Sequence, residues 1–343
     1  MSINQIGVIG YGKIGSKTVD LLLRENIQPV VVVRNPDKAK ALEDDYAPAQ
    51  LGSDLRPIFT THYETLEQSD SVIVTASVAT EVIITTKNRN SLIEYNTRIL
   101  CEVASKLARN ISKDTLIVTM TNPVEGMVYI LKNAGGFESK KVIGVGTAVE
   151  AARYETLISK TLGVAREQVV STVIGGHNEN DSVFLPKCTK VGQLPLLHFN
   201  LSAEDLLDLQ NQAKTSGMKI LQKSSQSAAL TPAALAVNLA NAHLSTNAKR
   251  VVNCTMEVPL AFVNEMLRDD AIESDEPTVT LGLLALLNCH GAEPLKIPLS
   301  QIDTQNLSNA VQNIIKQQEM VRKMTDFVES IGWLKGEGVK GKW

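Results

Sequence analysis

GVIGYGKIGS, residues 7–16, is the stretch that decides how this chain is read. It sets Gly10, Gly12 and Gly15 in G-x-G-x-x-G spacing, at the end of the short β-forming run QIGVIG and the start of a helical pattern over 14–25. Glycine there permits a tight turn, close approach of the backbone to a pyrophosphate, and packing of helix on strand. The free N–H groups of the helix's first turn then face the phosphates. The spacing alone also fits a bland glycine-rich turn. Its setting, strand then loop then helix then a second strand at the expected distance, points to a dinucleotide site built from Gly10, Gly12, Lys13, Ile14 and Gly15.

The second strand, QPVVVV, ends where NAD-binding versions of this unit place an Asp or Glu on the adenosine ribose. Here Arg34 follows, with Asn35 and Lys38 close behind. A carboxylate would repel a 2′-phosphate, whereas a guanidinium can clamp one with paired charge-assisted bonds. NADP(H) is therefore expected over NAD(H). The other reading makes Arg34 a solvated strand-end residue, with the ribose held by main chain.

Outward from the loop, β-branched runs alternate with helical patterns: SDSVIVTA then 91–109, TLIVTM then 124–133, KKVIGVG then 148–162. Continuous apolar strands alternating with helices describe a parallel sheet covered on both faces, a Rossmann-type doubly wound α/β fold. After about residue 165 come VVSTVIGG, helical stretches at 204–225 and 232–247, RVVNCTMEVPL, VTLGLLALLNC and a last helix near 303–330. Strand pairs in series with helix pairs suggest an α+β part. The expected domains are 1–147 for the dinucleotide and 148–335 for substrate and catalysis, and the tail KGEGVKGKW is expected to fray.

Composition narrows the function. With 34 basic and 37 acidic residues spread over 343, the net charge of −3 gives no footprint for nucleic acid or an anionic membrane. The four cysteines, Cys101, Cys188, Cys254 and Cys289, lie far apart in no metal-binding spacing. No run is long and apolar enough to span a bilayer. A reduced cytoplasmic protein acting on a small molecule, with no metal, is the expectation.

Three later stretches carry groups suited to chemistry. MTNPVEGM puts Asn122-Pro123 beyond the fifth strand, at the end of an open α/β sheet where ligands bind; the pair equally suits a turn. GTAVEAARYETL sets Glu150 and Arg153 three apart on one helix face, a spacing shared by ordinary surface ion pairs. VIGGHNENDS ends a strand at two glycines and presents His177.

In this order, GVIGYGKIGS, SDSVIVTA, Asn96-Thr97-Arg98-Ile99, TLIVTMTNPV, GVGTAVEAARYETLISKTLGV, VIGGHNENDSV and RVVNCTMEV resemble the lactate/malate dehydrogenase family over nearly the whole chain. The ordered set is far more specific than any member. The resemblance implies that His177 exchanges a proton with the substrate carbonyl. Arg153 would grip the substrate carboxylate, and Asn122 would align carbonyl and nicotinamide. Arg89 would polarise the carbonyl from a loop, and Glu150 would hold the histidine's other nitrogen. It also implies a homo-oligomer, dimer or tetramer, and a 2-oxo/L-2-hydroxy acid pair as substrates.

The chain departs from the family pattern in ways that bear on substrate. Glu150 is one methylene longer than the usual aspartate. The turn Asn178-Glu179-Asn180-Asp181 carries an extra residue. The loop from Ala76 to Arg89, ASVATEVIITTKNR, is longer than usual and lacks the arginine with which malate dehydrogenases hold a second carboxylate. It also lacks the glutamine of lactate enzymes. An oxaloacetate side chain would face Val82, Ile83 and Ile84, with Lys87 the nearest cation in sequence; an unpaired buried charge is expensive. A 2-oxo acid with an apolar or bulkier side chain is therefore expected, rather than plain malate chemistry. Ser227 and Ala228 fall near the substrate only in a loose register.

His62, His198, His243 and His290 read as structural or surface residues, and Cys289-His290 would point to opposite faces of a strand, away from a shared metal. Relatives that open glycosidic bonds with a nicotinamide and a metal need a Cys/His cluster beside the Asn-Pro turn, which MTNPV lacks. A different class of reading is a non-catalytic NADP(H)-binding or sensor protein, with Glu150 and the altered loop as marks of a decayed site.

Overall fold

The computed structural model describes residues 4–49, 54–78, 89–224, 227–244, 248–268 and 271–330, with the backbone alone at Arg89, Asn90, Ser91, Phe327, Glu329 and Ser330. Its parallel half is β1 (Gln5–Ile9), β2 (Gln28–Val32), β3 (Ile58–Thr60), β4 (Ser71–Val74), β5 (Leu116–Thr119) and β6 (Val142–Gly144), arranged 3-2-1-4-5-6. Both faces are covered, which is why these strands read as unbroken apolar runs. In β5, Leu116 and Val118 enter one core while Ile117 enters the other, and all three are fully buried. Each such side chain contributes about 1.5–3 kcal/mol of burial.

The helices of this half are α1 (Lys13–Arg24), α2 (Pro36–Tyr46), α3 (Arg89–Asn110) and α4 (Val124–Gly135). Neither α2 nor the three-residue β3 is among the elements expected from the sequence pattern. The signal for α2 is present all the same: Asn35 precedes Pro36, and its side chain accepts from the N–H groups of Asp37 and Lys38.

The second half follows from α5 (Ala148–Leu162). VVSTVIGG divides into β7 (Val169–Val170) and β8 (Val173–Gly175), and β9 (Ser182–Phe184) returns antiparallel beside β8. The two-residue strands β10 (Lys190–Val191) and β11 (Leu194–Pro195) join β7 in a small separate sheet. Then come α6 (Ala203–Ser224), α7 (Leu230–Leu244), β12 (Arg250–Pro259), α8 (Leu260–Leu267), β13 (Thr278–Asn288), β14 (Gly291–Pro294) and α9 (Gln301–Ser330). β12 and β13 pair antiparallel along ten registered positions, from Arg250–Leu287 to Pro259–Thr278.

One sheet runs through both halves. β12 pairs with β6 at Thr255–Gly144, and β13 pairs with β8 at Gly282–Gly175. That continuation carries the end of β8, and with it His177, to the side of the sheet where β5 and β6 deliver Asn122 and α5. The fold is a Rossmann-type doubly wound sheet followed by an α+β part, as the patterning indicated.

Candidate active site

At the glycine loop, each glycine has its own reason. Gly10 has φ of +96°, and a Cβ there would press on the backbone of Ala76; a Cβ on Gly15 would run into the Gly10 carbonyl. Both are required by the protein's own packing. Gly12 differs: a Cβ would meet nothing within 4 Å, and as N-cap of α1 it supplies no side-chain hydrogen bond. The open space and the free N–H groups of α1 form a cradle that fits a dinucleotide pyrophosphate. Lys13 lies on its rim and donates to the Ser227 carbonyl at 2.5 Å, while Ile14 packs into the core beneath.

Beyond β2, Val33 is buried and Arg34 is exposed, and no carboxylate stands at Val33, Arg34 or Asn35. Lys38 reaches back over the loop, its Nζ donating to the Tyr11 carbonyl at 3.0 Å. Asn35 also caps α2: its Oδ1 lies 2.8 Å from the Asp37 nitrogen, so a phosphate would be met by the Nδ2 donor of the same amide.

Across the sheet, three elements converge. Glu150 leaves the first turn of α5 and is almost fully buried. Its Oε2 lies 2.7 Å from His177 Nδ1, at the end of β8, and its Oε1 lies 3.3 Å from Arg153 Nη1, one turn further along the helix. The carboxylate thus spans the imidazole and the guanidinium. The Arg153 guanidinium is desolvated, which lowers its pKa, partly offset by Glu150. Among the described residues its one hydrogen bond is to Glu150, which leaves the rest of the fork for a carboxylate.

Two features of this cluster escape a reading of the sequence. Gly217, on α6, lies against the guanidinium; a Cβ there would come within 2.8 Å of Arg153 Nη2. Glu125, in the first turn of α4, accepts a hydrogen bond from the His177 backbone N–H at 2.7 Å and is 4% exposed. Burial raises its pKa, opposed chiefly by His177. In sequence Glu125 is an unremarked acid in a helix's first turn; its one available signal is adjacency to Asn122-Pro123.

Burial on its own would lower the pKa of His177, but Glu150 and Glu125 outweigh it, and the net direction is upward. The turn after it is closed by Asn178, whose Oδ1 accepts from the N–H groups of Asn180 and Asp181, both at 2.9 Å. The turn from Asn178 to Asp181 is thus closed by its own side chain.

Asn122 is exposed at the end of β5, joined to Pro123 by a cis peptide, and its carbonyl accepts from Asn96 Nδ2 at 2.7 Å. Asn96 Oδ1 in turn accepts from Val78 N–H. The side chain of Arg89 and the segment carrying Val82, Ile83, Ile84 and Lys87 lie outside the described residues, as does the tail from 335. His62, His198 and His290 are exposed, and His243 is buried far from this cluster.

With this geometry in view, comparison with known proteins is direct. Residues 4–144 match the profile of the lactate/malate dehydrogenase NAD binding domain, and residues 147–325 match that family's alpha/beta C-terminal domain. The chain belongs to the lactate/malate dehydrogenase family of 2-hydroxy acid oxidoreductases. It is similar to a malate dehydrogenase of Methanosarcina barkeri, 29% identical over 324 residues that cover 92% of this chain and 99% of that one. A malate dehydrogenase of Aeropyrum pernix is 33% identical over 233 residues, 67% of this chain and 73% of the relative. The solved structure of the malate dehydrogenase from Aeropyrum pernix superposes with a TM-score of 0.80 at 27% identity, covering 92% and 97% of the two chains.

Proposed function

We propose that this protein interconverts a 2-oxo acid and an L-2-hydroxy acid with NADP(H), and that its substrate side chain is apolar or bulky in place of a second carboxylate. The observation that carries the reading is the convergence of His177, Glu150 and Arg153, with contacts of 2.7 and 3.3 Å. A nicotinamide supplies or accepts the hydride when bound. The residues that would hold the dinucleotide are Gly10, Gly12, Lys13, Ile14 and Gly15 at the pyrophosphate, with Arg34 and Lys38 toward the ribose 2′ position.

The protein's own part is binding, alignment and proton transfer. Arg153 takes the substrate carboxylate with the edge of its fork not used by Glu150. Because Glu150 occupies Nδ1 of His177, Nε2 is the nitrogen left to face the carbonyl oxygen. There it donates a proton during reduction and accepts one during oxidation, a role that contributes about 10²–10⁴-fold. Asn122, at the end of β5, orients the carbonyl, and Arg89, the first residue of α3, polarises it.

Two features support the finer parts. Arg34 is exposed at a strand end without a carboxylate, so a 2′-phosphate meets a cation instead of an anion. The sequence from Ala76 to Arg89 offers apolar residues where a second carboxylate would need an arginine. Oxidation of NADPH and NADH against 2-oxo acids of graded side-chain size and charge tests both parts. The expected result is preference for NADPH and for an uncharged side chain. Strong preference for oxaloacetate overturns the substrate assignment, and tighter NADH binding overturns the cofactor assignment.

A further inference from the structure

We propose that Glu125 is a second positioning residue for His177, fixing its backbone and supplying a counter-charge that Glu150 alone does not provide. This rests on the reading of His177 as the proton-transfer group. The carboxylate of Glu150 is divided between two cations, one oxygen on His177 Nδ1 and the other on Arg153 Nη1. With an imidazolium at 177 and a guanidinium at 153, one carboxylate leaves this buried cluster with a net positive charge. An uncompensated charge away from water is costly. Held ionised by His177 and by the backbone N–H against the upward pull of burial, Glu125 restores the balance before any substrate arrives.

Among the described residues the charged groups facing His177 come from two elements: Glu125 from α4, and Glu150 with Arg153 from α5. Asp181, on the turn after His177, is otherwise engaged, with Asn178 on one oxygen and Asn313 of α9 on the other at 2.8 Å. Glu125 also sets position. It leaves α4 directly after Asn122-Pro123, and its 2.7 Å contact with the His177 N–H ties the end of β8 to the end of β5. The side chain at 122 and the imidazole at 177 are thereby held in one register, although they come from different halves of the chain. The raised titration of His177 agrees with this arrangement.

The test is an NMR titration of the imidazole carbons in the full-length protein without ligands, with the His177 signal assigned by its loss in His177→Asn. Glu125→Gln retains an oxygen that accepts the backbone N–H and removes the charge. Its expected effect is a fall of about one pH unit or more in the His177 midpoint, with the same displacement in the pH profile of 2-oxo acid reduction. Glu125→Asp keeps the charge and should keep the midpoint high. An unmoved midpoint in Glu125→Gln, or equal movement in both variants, overturns the proposal. If Glu125→Gln no longer melts cooperatively, the labelled carboxyl carbon of Glu125 in the unaltered protein decides. A carboxyl that stays neutral while His177 is charged overturns the proposal, and an ionised one supports it. A shifted midpoint without turnover of any 2-oxo acid by the unaltered protein would sink the enzymatic reading and leave the pairing of Glu125 with His177 intact.

Discussion

Two imidazoles near opposite ends of the same sheet, His177 partly exposed and His243 buried, are treated in opposite ways. His177, beyond the end of β8, faces the carboxylates of Glu150 and Glu125, and its pKa is raised even though burial pulls it down. His243, near the end of α7, gives its Nδ1 to the Asn288 carbonyl at 2.8 Å, and there burial prevails, with Lys141 nearby, so its pKa is lowered. A carbonyl satisfies one ring nitrogen without favouring the charged ring as strongly as a carboxylate does. Burial alone therefore does not make a histidine chemical. The charges placed around it decide whether it holds a proton to give or stays a neutral part of the core.

The sharpest way to break this comparison is a pair of substitutions. His177→Asn is expected to reduce turnover by about 10²–10⁴-fold while leaving cofactor affinity in place. His243→Asn, measured in the same assay, should leave turnover unchanged and lower thermal stability instead. Equal loss of activity in both would show that the carboxylates do not set the two sites apart. A protein without turnover on any 2-oxo acid would favour the non-catalytic reading.

A smaller effect is expected from the far side of Arg153. Gly217→Ala places a methyl group against the guanidinium, and overpacking of this kind costs about 1–3 kcal/mol. Applied to carboxylate binding, this is roughly a ten- to hundredfold loss in kcat/KM, carried mainly by KM. A change in kcat with KM intact would separate Arg153 from carboxylate capture.

The smallest expected effect is on stability against pH, and it has opposite signs at the two histidines. His177, with its folded value raised, contributes stability that is fully present below the ordinary value of about 6.5 and is lost as pH rises through the folded value. His243, with its folded value depressed, contributes stability that is present above that ordinary value and is lost as pH falls through the folded one. Melting curves over a pH series should show His243→Asn flattening the acid limb and His177→Asn flattening the alkaline one. The reverse pattern would mean that the carboxylates do not hold the proton on His177 and that burial does not strip it from His243.

Most of the parallel half was legible in the sequence because its signals are local: apolar runs, helical periodicity, and a glycine spacing contained within ten residues. The cluster of His177, Glu150 and Arg153 was legible through the resemblance, since no local pattern brings residue 177 to residue 150. Glu125 and Gly217 were not legible. Each is an ordinary residue on its own helix and acquires meaning only when another element is laid against it. Asn35 shows how a local signal is read twice: its place before Pro36 marks the cap of α2, which its Oδ1 supplies, apart from any contact its Nδ2 makes. The two-residue strands β10 and β11 are too short for alternation to register.

The joint between β6 and β12 has a mechanical side. Because backbone pairing passes from one half of the chain to the other through Thr255 and Gly144, swinging the halves apart would shear hydrogen bonds inside a buried slab. The cluster of His177, Glu150 and Arg153 is therefore borne on one continuous slab and not on two bodies joined by a hinge.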